Sequence, residues 1–245
     1  MLPNLDNLAG FEDLTGYNAI LLTEGRDLLI FNQTPRIMEL FNTRYVIASF
    51  RALPLQTTGV ELIGSDQENG FSITMFKEAF PRAYWAPRSQ RAVDDTQAMA
   101  LLKTADLGQT VIITAEEPLE SEGPAPAAGE SADQGLRPAR IIKYDYDEVL
   151  VESDAAAPGW LVLSDRLYPG WTAEVDDQPA RIYKANLLVR AVRLEAGKHT
   201  VRFRFRPDSL RYGAYISVPA WLFALGWWAT AGVQNRRKRN RNRAA

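Results

Sequence analysis

The sequence has no cysteine and only one histidine, His199, among its 245 residues. Without cysteine, the chain can form no disulfide and perform no thiolate chemistry. A single histidine cannot supply a zinc site built from several histidines, and serine hydrolases need a constellation of residues that this chain lacks. His199 follows Gly197 at the start of a predicted strand, so we expect it to serve a turn and not catalysis.

An excess of positive charge is also lacking. The chain has 28 Lys+Arg against 30 Asp+Glu, and six of the basic residues lie after residue 235, which leaves 22 against 30 before it. Binding a polyanion requires a basic patch on the folded part, so we expect no nucleic-acid partner.

No glycine-rich phosphate loop is present, and adjacent acids such as Asp176-Asp177 face opposite ways on a strand. We therefore expect no metal and no other cofactor.

The C-terminal part carries a long uncharged segment from Tyr212 to Val233. Such a length predicts a membrane-spanning helix at 210–233, and Trp221, Trp227 and Trp228 suit a membrane interface. A basic tail at 234–245 follows and predicts a cytoplasmic C-terminus; its charged residues are Arg236, Arg237, Lys238, Arg239, Arg241 and Arg243. The alternative is a buried core helix with a basic tail.

The N-terminal residues 1–10 show no basic start and no continuous apolar run, so they predict no signal peptide. The basic tail nevertheless predicts that the chain belongs to a bacterial cytoplasmic membrane, with its bulk on the extracytoplasmic side. We therefore expect this chain to be the C-terminal part of a longer multi-span protein, with the lipid bilayer and an upstream transmembrane portion as its partners.

The strand and helix patterns predict an α+β fold that is mostly β. Residues 1–115 predict a mixed α/β extracytoplasmic domain, with helices after Pro35 and after a Thr96 cap. The strands predicted in this domain are Arg44–Phe50, Phe71–Phe76, Arg82–Trp85 and Val111–Thr114. Residues 116–138 are rich in Glu, Ser, Gly, Ala and Pro and predict a flexible linker. Short strands in 139–208 predict an antiparallel β-sandwich. These strands are Val149–Val151, Trp160–Leu163, Thr172–Val175, Ala180–Tyr183, Leu188–Leu194 and His199–Phe205.

A set of short motifs occurs in fixed order and resembles the C-terminal region of the YfhO family of bacterial membrane proteins. In the second half the motifs are Ser164-Asp165, Tyr168-Pro169-Gly170-Trp171, Val175-Asp176, Lys184-Ala185-Asn186, Ala196-Gly197-Lys198-His199-Thr200 and Phe205-Arg206-Pro207. In the first half they are Gly16-Tyr17, the segment Phe41 to Ile47, and Pro81-Arg82-Ala83-Tyr84. Asp177 and Leu187 depart from the family pattern, because they replace glycines of hairpin turns.

The resemblance implies a large membrane protein of the glycosyltransferase C type. Such a protein takes a sugar from a polyprenyl-phosphate donor and transfers it to a cell-envelope polymer. Its catalytic acid would lie in an early loop that this sequence does not contain. The resemblance therefore implies an accessory region and membrane anchor, with no catalytic residue in this chain.

Aromatic and acidic residues near the Tyr-Pro-Gly-Trp turn have two interpretations. Exposed aromatic rings can stack on sugars while carboxylates bind hydroxyls, and the candidates are Trp160, Asp165, Tyr168, Trp171 and Asp176. The simpler interpretation is packing inside a β-sandwich. Likewise, Arg181, Lys184, Arg190 and Arg193 predict either contact with anionic lipid or a solvated strand face. A membrane-tethered carbohydrate-binding module and a purely structural domain remain the alternative functions.

Overall fold

The computed structural model describes residues 34–49, 59–119 and 135–241 and contains fifteen strands and three helices within them. The helices are α1 (Pro35–Leu40), α2 (Asp95–Thr104) and α3 (Asp208–Arg241). The predicted β-rich class is confirmed. Residues 1–33, 50–58, 120–134 and 242–245 lie outside the described part, and with them the Gly16-Tyr17 motif and most of the predicted linker.

The described chain divides into two compact units. The first comprises the described residues up to Tyr168 together with Thr172–Arg204, and it holds the three sheets except for Trp171 and Phe205, which are end residues of two strands. The second comprises Pro169–Trp171 and the chain from Phe205 onward, including α3.

A small antiparallel sheet is formed by β1 (Tyr45–Ser49), β2 (Val60–Asp66) and β3 (Phe71–Phe76), in the order β1-β3-β2. Side chains alternate along β3, so that Ser72, Thr74 and Phe76 are buried on one face. The sequence correctly predicted β1 and β3 but not β2.

The largest sheet has seven strands in the order β5-β6-β13-β14-β10-β4-β7. Its strands are β4 (Ala83–Ala86), β5 (Arg88–Ala92), β6 (Thr110–Thr114), β7 (Arg137–Pro138), β10 (Gly159–Arg166), β13 (Tyr183–Ala185) and β14 (Val189–Leu194). All neighbours are antiparallel except β5 and β6, which are parallel because α2 connects them as a crossover helix.

A five-stranded antiparallel sheet has the order β12-β11-β15-β9-β8. Its strands are β8 (Arg140–Tyr144), β9 (Glu148–Ala155), β11 (Trp171–Val175), β12 (Gln178–Ala180) and β15 (Gly197–Phe205). On β15, Val201 and Phe203 are fully buried while Arg202 and Arg204 alternate with them on the other face. This alternation makes one face of the strand apolar and the other polar.

The main core lies between the helices α1 and α2 and one face of the seven-stranded sheet. Leu40 of α1 and Leu102 of α2 are buried in the same cluster as Ile113, Trp160 and Val162 of the sheet. Asp94 caps helix α2: its backbone is extended, and its carboxylate oxygen Oδ1 accepts the N–H of Gln97 at 2.7 Å. The Thr96 cap predicted from the sequence is therefore wrong, because the carboxylate two residues earlier already satisfies the first turn.

The predicted division into two domains at residues 116–138 stays a prediction. The seven-stranded sheet combines β4–β6, which precede this segment, with β7 at its end and with later strands. Strands after residue 139 are also shared between two sheets, so a self-contained antiparallel sandwich at 139–208 is not confirmed. The predicted strand Ala180–Tyr183 is replaced by β12 and β13, which belong to different sheets.

Two hairpin turns use residues other than glycine at positive φ. Asp176 and Asp177 have φ of 50° and 63°, and Asn186 and Leu187 have φ of 45° and 74°. Two consecutive positive values are typical of a type I′ turn, which glycine and asparagine favour. The departures from the family pattern at Asp177 and Leu187 therefore leave the turn backbone in the left-handed region, at a steric cost that Leu187 offsets through its burial in the core.

Candidate functional site

Helix α3 exposes large apolar side chains over its described part. Between Tyr212 and Trp228, the residues more than half exposed include Tyr212, Tyr215, Ile216, Val218, Trp221, Leu222, Phe223, Leu225, Trp227 and Trp228. These positions lie on all sides of the helix, because successive residues of an α-helix differ by about 100°. A helix that is apolar all round requires an apolar environment, so this is the most prominent candidate interaction surface.

The predicted membrane-spanning helix at 210–233 is corrected in one respect. The helix forms and extends from Asp208 to Arg241, but none of the helices in the described residues is both long enough and apolar enough to cross a membrane. Tyrosine, glycine, serine and Pro219 dilute the apolar side chains of this segment. The predicted orientation, with the bulk outside and the C-terminus in the cytoplasm, depended on that span and stays a prediction. Side chains of the basic tail lie outside the described part.

The Pro-Gly-Trp turn packs at the start of the segment that leads into α3. Gly170 has φ of 106°, and its carbonyl accepts the N–H of Arg206 at 2.7 Å. The ring centroids of Trp171 and Phe205 lie 5.4 Å apart. A Cβ on residue 170 would approach the Cα of Pro207 to 2.9 Å, so only glycine fits this turn without a shift of the backbone. These contacts support the packing interpretation for Trp171.

The structure does not bring the candidate sugar-binding residues together on one surface. Trp160 is 1% exposed and packs edge-to-face on Tyr183, with ring centroids 5.0 Å apart. Tyr168 is half exposed, whereas the Asp165 carboxylate is engaged by arginines and Asp176 lies in the β11–β12 turn. A sugar-stacking platform that uses Trp160 therefore has no accessible ring.

Asp165 is the centre of a partly buried polar cluster, here called the Asp165 cluster, with Arg82, Tyr144 and Arg190. Its Oδ1 accepts Arg82 Nη2 at 2.8 Å and Arg82 Nε at 3.0 Å, and its Oδ2 accepts Arg190 Nη2 at 2.8 Å. The Tyr144 hydroxyl donates to Oδ1 at 3.2 Å. The Arg190 guanidinium also lies over the Phe203 ring, 5.4 Å from its centroid, which joins β14 of the large sheet to β15 of the five-stranded sheet.

Burial perturbs the ionisable groups of this cluster. It lowers the pKa of Arg190, while the Asp165 carboxylate opposes that change. Burial raises the pKa of the Tyr144 hydroxyl, and the charge of Asp165 acts in the same direction. Arg190 has a side chain only 2% exposed, and its guanidinium pairs with the Asp165 carboxylate at 2.8 Å. The arrangement therefore suits a structural ion pair and not proton transfer.

A second polar cluster ties the β11–β12 turn to β15. Asp176 Oδ1 accepts the Thr200 N–H at 2.8 Å, and Asp176 Oδ2 lies 2.7 Å from His199 Nδ1. Arg202 donates to Asp177 at 2.8 Å, and a shallow cleft is lined by Asp176, Asp177, Thr200 and Arg202. The hydrogen bond from the Thr200 N–H has the largest effect on the pKa of Asp176 and lowers it, and the hydrogen bond with His199 lowers it further. Within the described residues, no group of three or more His, Cys, Asp or Glu could hold a metal.

The four basic residues considered for lipid contact are dispersed. Lys184 donates to Asp95 of α2 at 2.7 Å, and Arg190 is buried beside Asp165. Arg181 and Arg193 lie over the rings of Tyr183 and Trp160, with guanidinium-to-centroid distances of 4.9 and 5.7 Å. Their positive charges therefore do not form one exposed basic patch.

Sequence reasoning missed the partners of Asp165. Arg82 lies 83 residues before it and Arg190 25 residues after it, so no local pattern connects them. The available signal was an arginine inside an apolar run of β14, where Val189, Ala191 and Val192 surround Arg190. A charge in such a run indicates a buried partner.

Residues 137–217 match the family model described as bacterial membrane protein YfhO. This segment of the chain is therefore similar to the YfhO family, and the resemblance drawn from the motifs is confirmed there. The matched segment holds β7–β15, the Pro-Gly-Trp turn and the beginning of α3. No curated protein and no solved structure matches the chain.

Proposed function

We propose that this chain is a noncatalytic accessory region of a YfhO-like membrane protein and that α3 associates it with the membrane. The observation that carries the proposal is the apolar surface of α3, whose described side chains from Tyr212 to Trp228 are all exposed. The family match supports it, because the family is one of bacterial membrane proteins and its model reaches into this helix.

The parent protein, in this proposal, is a glycosyltransferase of the C type that modifies cell-envelope polymers from a polyprenyl-phosphate sugar. The Asp165 cluster supports a noncatalytic role for the present chain, because its carboxylate is neutralised by two arginines. The second polar cluster is likewise a set of hydrogen bonds with one ion pair, between Arg202 and Asp177, in a turn. The upstream transmembrane portion and the lipid bilayer are the proposed partners.

Carbohydrate binding by this chain alone is the less favoured alternative. Of the three candidate aromatic rings, Trp160 is buried in the core and Trp171 packs on Phe205. Stacking on a sugar requires an accessible ring face, which leaves Tyr168 as the exposed aromatic of the original set.

Flotation with lipid vesicles tests the membrane association. We expect the full chain to float with vesicles of phosphatidylethanolamine and phosphatidylglycerol, and to do so equally in 1 M salt, which screens charge but not apolar contact (Debye length about 3 Å). Replacing Trp221, Trp227 and Trp228 with Glu should reduce the floated fraction at least tenfold. Burying one apolar side chain contributes about 1.5–3 kcal/mol to the binding free energy. A change of about 1.4 kcal/mol alters the binding constant tenfold.

The matched control is Tyr146→Glu, which removes a fully exposed aromatic from the β8–β9 turn and leaves α3 intact. This variant should float like the unaltered chain. Flotation that survives the triple substitution, or that disappears in 1 M salt, would contradict attachment through the apolar surface of α3.

A further inference from the structure

His199 is placed between two hydrogen-bond acceptors. Its Nδ1 lies 2.7 Å from Asp176 Oδ2, and its Nε2 lies 3.1 Å from the carbonyl oxygen of Glu195. A neutral imidazole carries a proton on one nitrogen only, whereas the imidazolium donates from both. The observed arrangement is therefore complete only when the ring is doubly protonated.

The two acceptors belong to two different turns. Asp176 is the first residue at positive φ in the β11–β12 turn, and Glu195 lies in the β14–β15 turn beside Gly197, whose φ is 127°. Asp176 is bound to β15 by its backbone as well, because its N–H donates to the Thr200 carbonyl at 2.9 Å. His199 thus connects both turns to the start of β15.

The charged group that contacts the imidazole in the described structure is the Asp176 carboxylate. Ser153 lies opposite His199 on β9 and is buried and uncharged. Lys198 and Thr200 flank it on β15, and alternation along the strand places their side chains on the opposite face. The carboxylate of Asp176 is therefore the charged group that faces the ring, whose side chain is 15% exposed.

We propose that His199 is a pH-sensitive latch that holds the β11–β12 and β14–β15 turns together when the imidazole is doubly protonated. Imidazole side chains ordinarily change charge between about pH 5 and 8. Loss of the second proton removes one of the two donors. The Glu195 carbonyl then faces a lone pair, because the ionised Asp176 retains the proton on Nδ1. The β14–β15 turn loosens first, and the Asp176 contact weakens with the lost charge.

Nuclear magnetic resonance on the full chain in detergent tests the latch, since His199 is the only histidine and its ring nitrogens need no assignment. We expect both nitrogens to show protonated shifts at low pH. The amide signals of Asp176, Gly197 and Thr200 should move with the same midpoint as the ring. Amide protection at Asp176, corrected for intrinsic exchange, should fall roughly two- to fivefold across that midpoint, as for an exposed charge pair.

Two variants separate the latch from a general effect of pH. In His199→Gln the pH dependence of these amide signals should be lost. Asp176→Asn keeps an acceptor for the Thr200 N–H and a residue that tolerates positive φ, so it should retain the turn while removing the negative charge that faces the imidazolium. The proposal is overturned if the ring titrates while the three amides stay unchanged, or if they titrate equally in His199→Gln.

Discussion

Replacing Asp165 with Asn should destabilise the fold strongly. The substitution keeps the shape of the side chain but removes the negative charge between Arg82 and Arg190. Arg190 is 2% exposed and Asp165 is 9% exposed, so water cannot replace the lost carboxylate at Arg190. Removing one partner of a buried ion pair costs about 3–5 kcal/mol, because a charge stays buried without compensation.

The contribution of Arg82 to this loss is smaller. Its side chain is 27% exposed, so solvent screens its charge once the carboxylate is gone. We therefore assign most of the expected loss to Arg190. In urea unfolding followed by circular dichroism, Asp165→Asn should lower the free energy of unfolding by about 3 kcal/mol or more.

The control is Glu152→Gln, which breaks the Arg140–Glu152 pair on the surface. These side chains are 74% and 45% exposed, so the expected loss is under about 1 kcal/mol. The double variant Asp165→Leu with Arg190→Met removes the buried charges together and should recover most of the stability. A loss under about 1 kcal/mol for Asp165→Asn, or no recovery in the double variant, would refute the assignment of Arg190 as a buried dependent charge.

Two further predictions concern packing and pH. Gly159→Ala should lower the free energy of unfolding by about 3 kcal/mol or more, because a Cβ there would lie 2.3 Å from Trp85 Nε1. The control is Gly64→Ala, whose Cβ would have its nearest neighbour at 3.9 Å and which should leave the thermal melting temperature nearly unchanged. Hydrogen bonds from Lys143, which has the larger effect, and from Arg204 of β15 lower the pKa of Glu148. Because its pKa is lower in the folded chain, the ionised Glu148 adds stability above the unfolded pKa of about 4.5, and this stability is lost as pH falls through the folded pKa. Glu148→Gln should therefore flatten the acid-side decline in the free energy of unfolding. An unchanged decline in this variant would contradict the contribution of Glu148.

Much of the β structure could be predicted because its strands carry β-branched and aromatic residues. The strands β6, β10 and β14 fall where the sequence pattern placed them. The strand β5 could not be found in this way, since Arg88–Ala92 is mostly polar and lies at a sheet edge. Its pairing with β6 depends on a crossover through α2, which is a tertiary feature.

The candidate site was predicted unevenly for a related reason. A long uncharged helix with Trp221, Trp227 and Trp228 is a local pattern, so its existence followed from the sequence. Which aromatic rings are accessible depends on the packing of distant strands. Trp160 illustrates this, because its burial results from neighbours in β4 and β14 that no spacing in the sequence connects.

The second polar cluster has one part that the local sequence indicates and one part that depends on the packing of distant strands. The positive φ values at Asp176 and Asp177 follow from a short hairpin, which the sequence indicated by its turn residues. The approach of His199 to that hairpin depends on β11 and β15 lying side by side in the sheet. Only the structure shows that the single histidine joins two turns.

The most direct test of the account is whether α3 contacts lipid. Because the chain has no cysteine, one introduced cysteine carries one spin label without a background. We choose Phe223→Cys on α3 and Tyr146→Cys in the β8–β9 turn, both at exposed positions. With vesicles present, electron paramagnetic resonance should show position 223 accessible to oxygen and protected from a water-soluble nickel complex, with the reverse at 146. Equal access of the nickel complex to both positions would contradict membrane association through α3.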